Sequence, residues 1–325
     1  MNTPLLIIRR PIEPELARYG ALFDEVLTHD EQFMDRVLFH VRGRKGKMMR
    51  PILLLLMAKE CGTVGETALR CAVTLELLHT ASLVHDDVVD ESAERRGQAS
   101  LRAVFDNKVA VLLGDYMLAR SLHQAALTGK VEIVEQVAAL GGTLSEGEIF
   151  QLANLESATL SEEAYFRIIR NKTSALFATC GLLGAMSQDA DESFCVKARR
   201  FGEIVGMCFQ IRDDIFDYFD DASIGKPRGN DMVEGKLTLP AIYAVNHTGN
   251  ARAMELAHRV KALKATAEEM AELIEFAKAN GGIEYAQKAM ERLRVEAQDL
   301  LKHFKNEDVR ESLKGYIDFV IGRNF

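Results

Sequence analysis

Between Pro51 and Pro227 the chain contains no proline, and this gap limits the fold more than any other feature. Proline removes a backbone donor and clashes with the preceding turn, so a long proline-free stretch with apolar periodicity can sustain long helices. In "ETALRCAVTLELLHTASLVHDDVVD" the residues Leu69, Ala72, Val73, Leu75, Leu77, Leu78 and Ala81 cover most of a helical surface, the pattern of a helix buried on all sides. "NKVAVLLGDYMLARSLHQAALTG", "EIVEQVAALGGTLSEGEIFQLANL", "EEAYFRIIRNKTSALFATCGLLGAM" and "DESFCVKARRFGEIVGMCFQIRDDIFDYFDD" read the same way, punctuated by Gly62, Gly129, Ser161 and the turn "SIGKPRGND". No hairpin signal, fixed-period repeat or sustained heptad is present, so the expected class is all-α and a globular bundle.

At 325 residues the chain can bury a sizeable core. No window approaches 18 consecutive apolar residues, and the N-terminal "PLLIIRR" is too short for a signal-peptide core, so a cytoplasmic location is expected. A net charge of −8 argues against a nucleic-acid partner. Five cysteines without a CxxC pair read as reduced core thiols.

Against this apolar background two acidic clusters stand out. Asp86, Asp87 and Asp90 fall within one 100° sector of a helix, and Asp213, Asp214 and Asp217 repeat the spacing, followed by Asp220 and Asp221. Like charges at i,i+4 oppose helix formation by roughly 0.2–0.5 kcal/mol per pair, so something must compensate. Hard divalent cations do so, because Mg²⁺ takes oxygen ligands and is commonly shared between a few carboxylates and phosphate. A single DDxxD arises by chance in about 7% of chains this long, and two in well under 1%, which disfavours a merely solvated acidic face. Lys47, Arg50, Arg95, Arg96, Lys172, Thr173, Lys226 and Lys236 sit in short basic motifs that punctuate helix ends. Each alone reads as a surface group; together with the acids they describe a pocket for a Mg²⁺-chelated diphosphate.

These motifs resemble those of the all-trans polyprenyl diphosphate synthases. "SLVHDDVVDESAERRG" and "FQIRDDIFDYFDD" look like the family's two Asp-rich motifs, and "GKMMRP", "ELLHTASLVHDD", "GDYMLARSL", "EGEIFQL", "NKTSALF" and "GKPRGNDMVEGKLTLP" resemble its other motifs, in order over about residues 43–240. The resemblance implies a single domain over residues 1–325, an isoprenoid synthase-like bundle of roughly a dozen helices around a central cavity. It also implies that Asp86, Asp87, Asp90, Asp213, Asp214 and Asp217 hold Mg²⁺, about three ions, with the allylic diphosphate. Arg95, Lys172, Thr173, Lys226 and Lys236 would contact that diphosphate, Lys172 and Lys226 sharing the catalytic work, with Gln210 adjoining the reaction centre. Lys47, Arg50, His79 and Arg96 would bind isopentenyl diphosphate. Lys45 and Met48 depart from the family's first basic motif, where Gly and Arg are common.

The implied chemistry ionises an allylic diphosphate, joins the cation to an alkene and loses a proton, which requires preorganised cations and an apolar cavity. Ala81 and Ser82, just before the first cluster, are small where early-stopping relatives are bulky. The helix at Glu66–Val89 is roughly 35 Å long at 1.5 Å per residue, so a parallel tunnel has room for about seven or eight isoprene units of about 4–5 Å each. The reading is therefore a long-chain synthase, for instance for a quinone side chain. A shorter-chain enzyme and a non-catalytic subunit of a heteromeric synthase stand as alternatives, the latter weakened because all six aspartates are present. The resemblance further implies a homodimer, with peripheral membrane contact for product release. His85 is expected to pack or to support the acidic cluster from behind, not to ligate, and "KALKATAEEMAELIEFAKANGG" is expected to form solvated helices without chemistry. Arg323 receives no role.

Overall fold

The computed structural model describes residues 3–43, 46–95, 98–157, 159–219 and 228–323, the side chains of Thr3, Arg95 and Glu156 excepted. It is built of α-helices; among the described residues the only strands are Glu94–Arg95 and Gln98–Ala99, an antiparallel pair joining Glu94 to Ala99 and Arg95 to Gln98. The all-α expectation holds, and every long segment read as helical contains a helix. The contacts group into two compact units, one of Met1–Gly141, Leu176–Gly202 and Phe304–Leu313, the other of Gly142–Ala175, Glu203–His303 and Lys314–Phe325.

The first unit is organised on the helix Glu66–Val89. Ala68, Leu69, Ala72, Val73, Leu75, Leu77, Leu78 and Ala81 are buried, so the helix is apolar around its circumference. It packs most heavily on Asn107–Ala126, with Met49–Cys61 and Glu13–Val26 also against it. Two polar residues inside the first packing satisfy each other: Ser121 Oγ donates to the Thr74 carbonyl at 2.9 Å and Thr74 Oγ1 to the Ser121 carbonyl at 3.4 Å. Asp106 caps Asn107–Ala126 by accepting from the Val109 amide at 2.8 Å. His85 packs on this helix as expected: Gly114 leaves the space its ring fills, and Nε2 stands 3.1 Å from the Val111 carbonyl.

Within this unit the stretches 176–186 and 192–202 of two helices, Ala175–Met186 and Glu192–Phe216, approach through glycines. A Cβ on Gly181 would lie 2.1 Å from the Ala198 carbonyl oxygen, and one on Gly202 2.2 Å from that of Phe177.

The second unit gathers Glu162–Ile169, Ala251–Lys261, Ala267–Ala279 and Gly282–Leu301 around Leu239–Thr248. Ala267–Ala279 opens with a capping box, Thr266 and Glu269 satisfying each other's backbone amides. In this unit a Cβ on Gly206 would come within 2.5 Å of Ser174 Cα.

Two local features depart from the sequence reading. "EEAYFRIIRNKTSALFATCGLLGAM" is interrupted at Arg170–Ser174 by a π-turn, which takes one more residue per hydrogen-bonded ring than an α-turn. And Lys261, in the stretch expected to be solvated, is only 8% exposed and donates to the Thr159 carbonyl at 3.0 Å. Its apolar stem favours burial, and the carbonyl satisfies one ammonium proton.

Candidate active site

Both acidic clusters end their helices. Asp90 is the C-terminal cap of Glu66–Val89, and Asp217 follows directly on Glu192–Phe216. The C-terminal end of a helix already carries partial negative charge from unsatisfied carbonyls, so three carboxylates there compound an unfavourable field. Such a placement stabilises a bound cation more than it stabilises the helix.

In the first unit Asp87 is 2% exposed, Asp86 half-buried and Asp90 exposed. A cavity of about 450 Å³ runs along the next stripe of the same helix, lined by Glu76, His79, Thr80, Leu83, Val84 and Asp87. Gly46, Met48, Gln98 and the side chains of Tyr19 and Phe23 close it. Met48 holds φ +52, a left-handed conformation uncommon outside glycine, at the turn into Met49–Cys61. Arg50 is half-buried, its guanidinium 5.3 Å from the Phe177 ring centroid and Nη1 4.0 Å from Glu76 Oε2. Lys47 is exposed. Burial, with the Glu76 charge next, raises the Tyr19 phenol above its ordinary range.

The cavity thus brings His79 and Asp87 to one wall. Ala81 and Ser82 are not among its lining residues: Ala81 has no exposed surface, and Ser82 is half-buried, its Oγ donating to the His79 carbonyl at 2.8 Å. Arg96, Lys45, Lys226, Asp220 and Asp221 lie outside the described residues, as does the Arg95 side chain.

In the second unit a cavity of about 200 Å³ is lined by Lys172, Thr173, Gln210, Asp214, Asp231 and Lys236, with Leu155, Leu160, Ile168, Ile169 and Ile242 supplying apolar walls. The π-turn carries Lys172 and Thr173 to it. Lys172 Nζ pairs with Glu148 Oε2 at 2.6 Å, and Gln151 Nε2 donates to Glu148 Oε1 at 3.1 Å. Lys236 pairs with Glu234.

A chain of hydrogen bonds runs beneath these cations. Thr173 Oγ1 donates to Gln210 Oε1 at 2.7 Å, Gln210 Nε2 to Asp214 Oδ1 at 2.7 Å, and the Tyr165 hydroxyl to Asp214 Oδ2 at 2.5 Å. Both oxygens of Asp214 accept, and the residue is 3% exposed. Burial raises its carboxyl well above the usual range, the Asp231 charge adding to the effect. Asp231 is raised to about 7 by burial and then by the Asp217 charge. Asp217 accepts from the backbone amides of Asn230 at 2.9 Å and Asp231 at 3.1 Å. Asp213, whose side chain is 42% exposed, meets Arg323 at 2.5 Å.

Sequence reasoning missed Tyr165, Glu148, Asp231 and Arg323. Glu148 and Asp231 lie inside motifs already singled out, "EGEIFQL" and "GKPRGND"; nothing local points to Tyr165 or Arg323, whose partners are 49 and 110 residues away.

Among the described residues, no group of three or more His, Cys, Asp or Glu side chains forms a ready-made metal cage. No helix of the described residues is long and apolar enough to cross a membrane.

Comparison with known proteins adds the following. The profile of the family described as polyprenyl synthetase matches residues 31–277. Octaprenyl diphosphate synthase of Haemophilus influenzae is 31% identical over 322 residues, covering 98% of this chain and 97% of its own. The crystal structure of a geranylgeranyl pyrophosphate synthase from Bacteroides thetaiotaomicron superposes with a TM-score of 0.88 at 48% identity, over 99% of this chain and 100% of that one. A polyprenyl synthase from Caulobacter crescentus, solved with calcium and isoprenyl diphosphate, gives 0.90 at 29% identity, over 98% of each chain.

Proposed function

Since the chain belongs to the polyprenyl synthetase family, and is accordingly a prenyl diphosphate synthase and a transferase, we propose that it extends an allylic diphosphate with isopentenyl diphosphate to a long product of about seven to nine units. The observation that carries the chemistry is the second-unit cavity, where Lys172, Thr173 and Lys236 stand with Gln210 and Asp214 beside an apolar wall.

Asp86, Asp87, Asp90, Asp213 and Asp217 would hold Mg²⁺, with Asp214 tied into the hydrogen-bond chain between Tyr165 and Gln210. Bound Mg²⁺ would neutralise charge on the departing diphosphate. Lys172, Thr173 and Lys236 orient that group and stabilise the negative charge it develops. Leu155, Leu160, Ile168, Ile169 and Ile242 exclude water from the allylic cation. In the first unit, Lys47, Arg50 and His79 bind the second diphosphate, and the released diphosphate is the proton acceptor. A homodimer is supported by the exposed apolar residues Val111, Leu112 and Leu122 on Asn107–Ala126.

Small residues at Ala81 and Ser82, together with relatives named for octaprenyl products, support the long chain. The likeness to a geranylgeranyl synthase at 48% identity supports a four-unit product as the second reading. Chromatography of the product made from farnesyl and isopentenyl diphosphates with Mg²⁺ decides between them. The expected result is a series ending at seven to nine units, about the tunnel estimate above; termination at four establishes the shorter reading. Ala81→Phe is expected to shorten the product. Because Ala81 is fully buried, it is also expected to cost about 1–3 kcal/mol of stability. Unchanged product length places the growing chain elsewhere.

A further inference from the structure

Arg323, to which the sequence assigns no role, follows the helix Glu307–Gly322 and returns to the second aspartate cluster. Its side chain is only 12% exposed. One terminal nitrogen donates both to the Phe209 carbonyl at 2.9 Å and to Asp213 Oδ1 at 2.5 Å. The guanidinium lies 4.0 Å from the Phe209 ring centroid and 5.6 Å from that of Phe216. Arg212 reaches back in the opposite sense, its Nε and Nη2 donating to the Arg323 carbonyl at 3.1 and 2.9 Å, with its own guanidinium 4.7 Å from the Phe216 centroid.

This arrangement is costly by itself. Burial lowers the pKa of both arginines, and the charge of Arg323 lowers that of Arg212 further. Arg323 Nε is buried without a hydrogen-bond partner. If the only task were to dock the end of Glu307–Gly322, the Arg212 fork on a backbone carbonyl would serve with any side chain at position 323. The guanidinium adds burial, repulsion and an orphan donor, and its charged contact is with Asp213.

We infer that Arg323 is a positioning residue for Asp213: it grips the carboxylate through Oδ1 and so aims the exposed group at a divalent ion carried on diphosphate. The inference rests on the reading of Asp213 as a metal-holding residue. Asp213 suits that role better than Asp214, being 42% exposed where Asp214 is 3% and accepts on both oxygens. Carboxylates that hold metals are themselves commonly fixed by hydrogen bonds, and removing such a partner weakens metal binding by about 10- to 100-fold.

The test is a Mn²⁺ titration of the full chain with inorganic diphosphate, followed by electron paramagnetic resonance of the free ion. Arg323→Gln is expected to weaken Mn²⁺ binding by about 10- to 100-fold, and Arg323→Lys, which keeps the charge, to recover part of the loss. Added to Asp213→Asn, Arg323→Gln is expected to cause no further loss, because both act on one carboxylate. Wild-type affinity in Arg323→Gln overturns the inference. Tighter binding also overturns it, since Arg323 would then be a competitor for Asp213. Wild-type affinity in Asp213→Asn defeats the metal reading instead, which separates the two failures. If Arg323→Gln fails to fold, Arg323→Lys carries the test: weaker Mn²⁺ binding at an unchanged metal-free melting temperature supports the role, and unchanged binding overturns it.

Discussion

Replacing Lys172 with alanine is expected to cut turnover by about 10²–10³-fold, with a much smaller change in KM. The negative charge on the allylic diphosphate grows as the carbon–oxygen bond breaks, so a cation fixed beside it acts chiefly on the transition state. Lys172 is so fixed. The π-turn delivers it to the cavity, and its ammonium rests on Glu148 at 2.6 Å, with Gln151 steadying the same carboxylate. Alanine removes that charge and leaves Glu148 without its lysine partner. Incorporation of labelled isopentenyl diphosphate at saturating substrate measures the effect. A kcat within about threefold of wild type, against the loss expected for a preorganised cation, returns Lys172 to the ranks of solvated surface charges.

Gly202→Val is expected to cost at least about 3 kcal/mol and to lower the yield of folded protein sharply. The first added carbon would lie 2.2 Å from the Phe177 carbonyl oxygen and 2.8 Å from its carbon. Both are backbone atoms of the facing helix, so neither can swing aside. Gly20→Ala is the control: its Cβ meets nothing within 4 Å. Within a helix it is expected to be neutral or to stabilise by about 0.5–1 kcal/mol. Thermal or urea unfolding of the two variants reads the contrast directly.

The sequence reveals most where structure is local. Helical class follows from periodicity and the absent prolines, and the aspartates from a spacing that polar chance rarely produces. What it conceals depends on distance or on helix ends. The π-turn at Arg170–Ser174 leaves no trace in apolar spacing, because cavity-lining Ile168, Ile169, Lys172 and Thr173 still recur at helical intervals. That Asp90 and Asp217 terminate their helices was equally hidden; the acidic run in "FDYFDD" reads on as helix although Glu192–Phe216 stops before Asp217. Tyr165 looks like ordinary core until Asp214 is placed against it. Lys261 misleads by its charge, since its stem is apolar and a single carbonyl receives its head.

The occupied state of the second aspartates has a kinetic meaning. Asp213 is held by Arg323, Asp214 by Tyr165 and Gln210, and Asp217 by two backbone amides. An ion arriving alone would meet Asp214 and Asp217 with both oxygens already accepting hydrogen bonds. An ion arriving on diphosphate brings ligands of its own and a charge that Lys172 can meet. Under the metal role proposed above, loading would be ordered, with the substrate escorting the metal. Such an interlock would keep the ionising machinery idle until there is a prenyl group for it to act on.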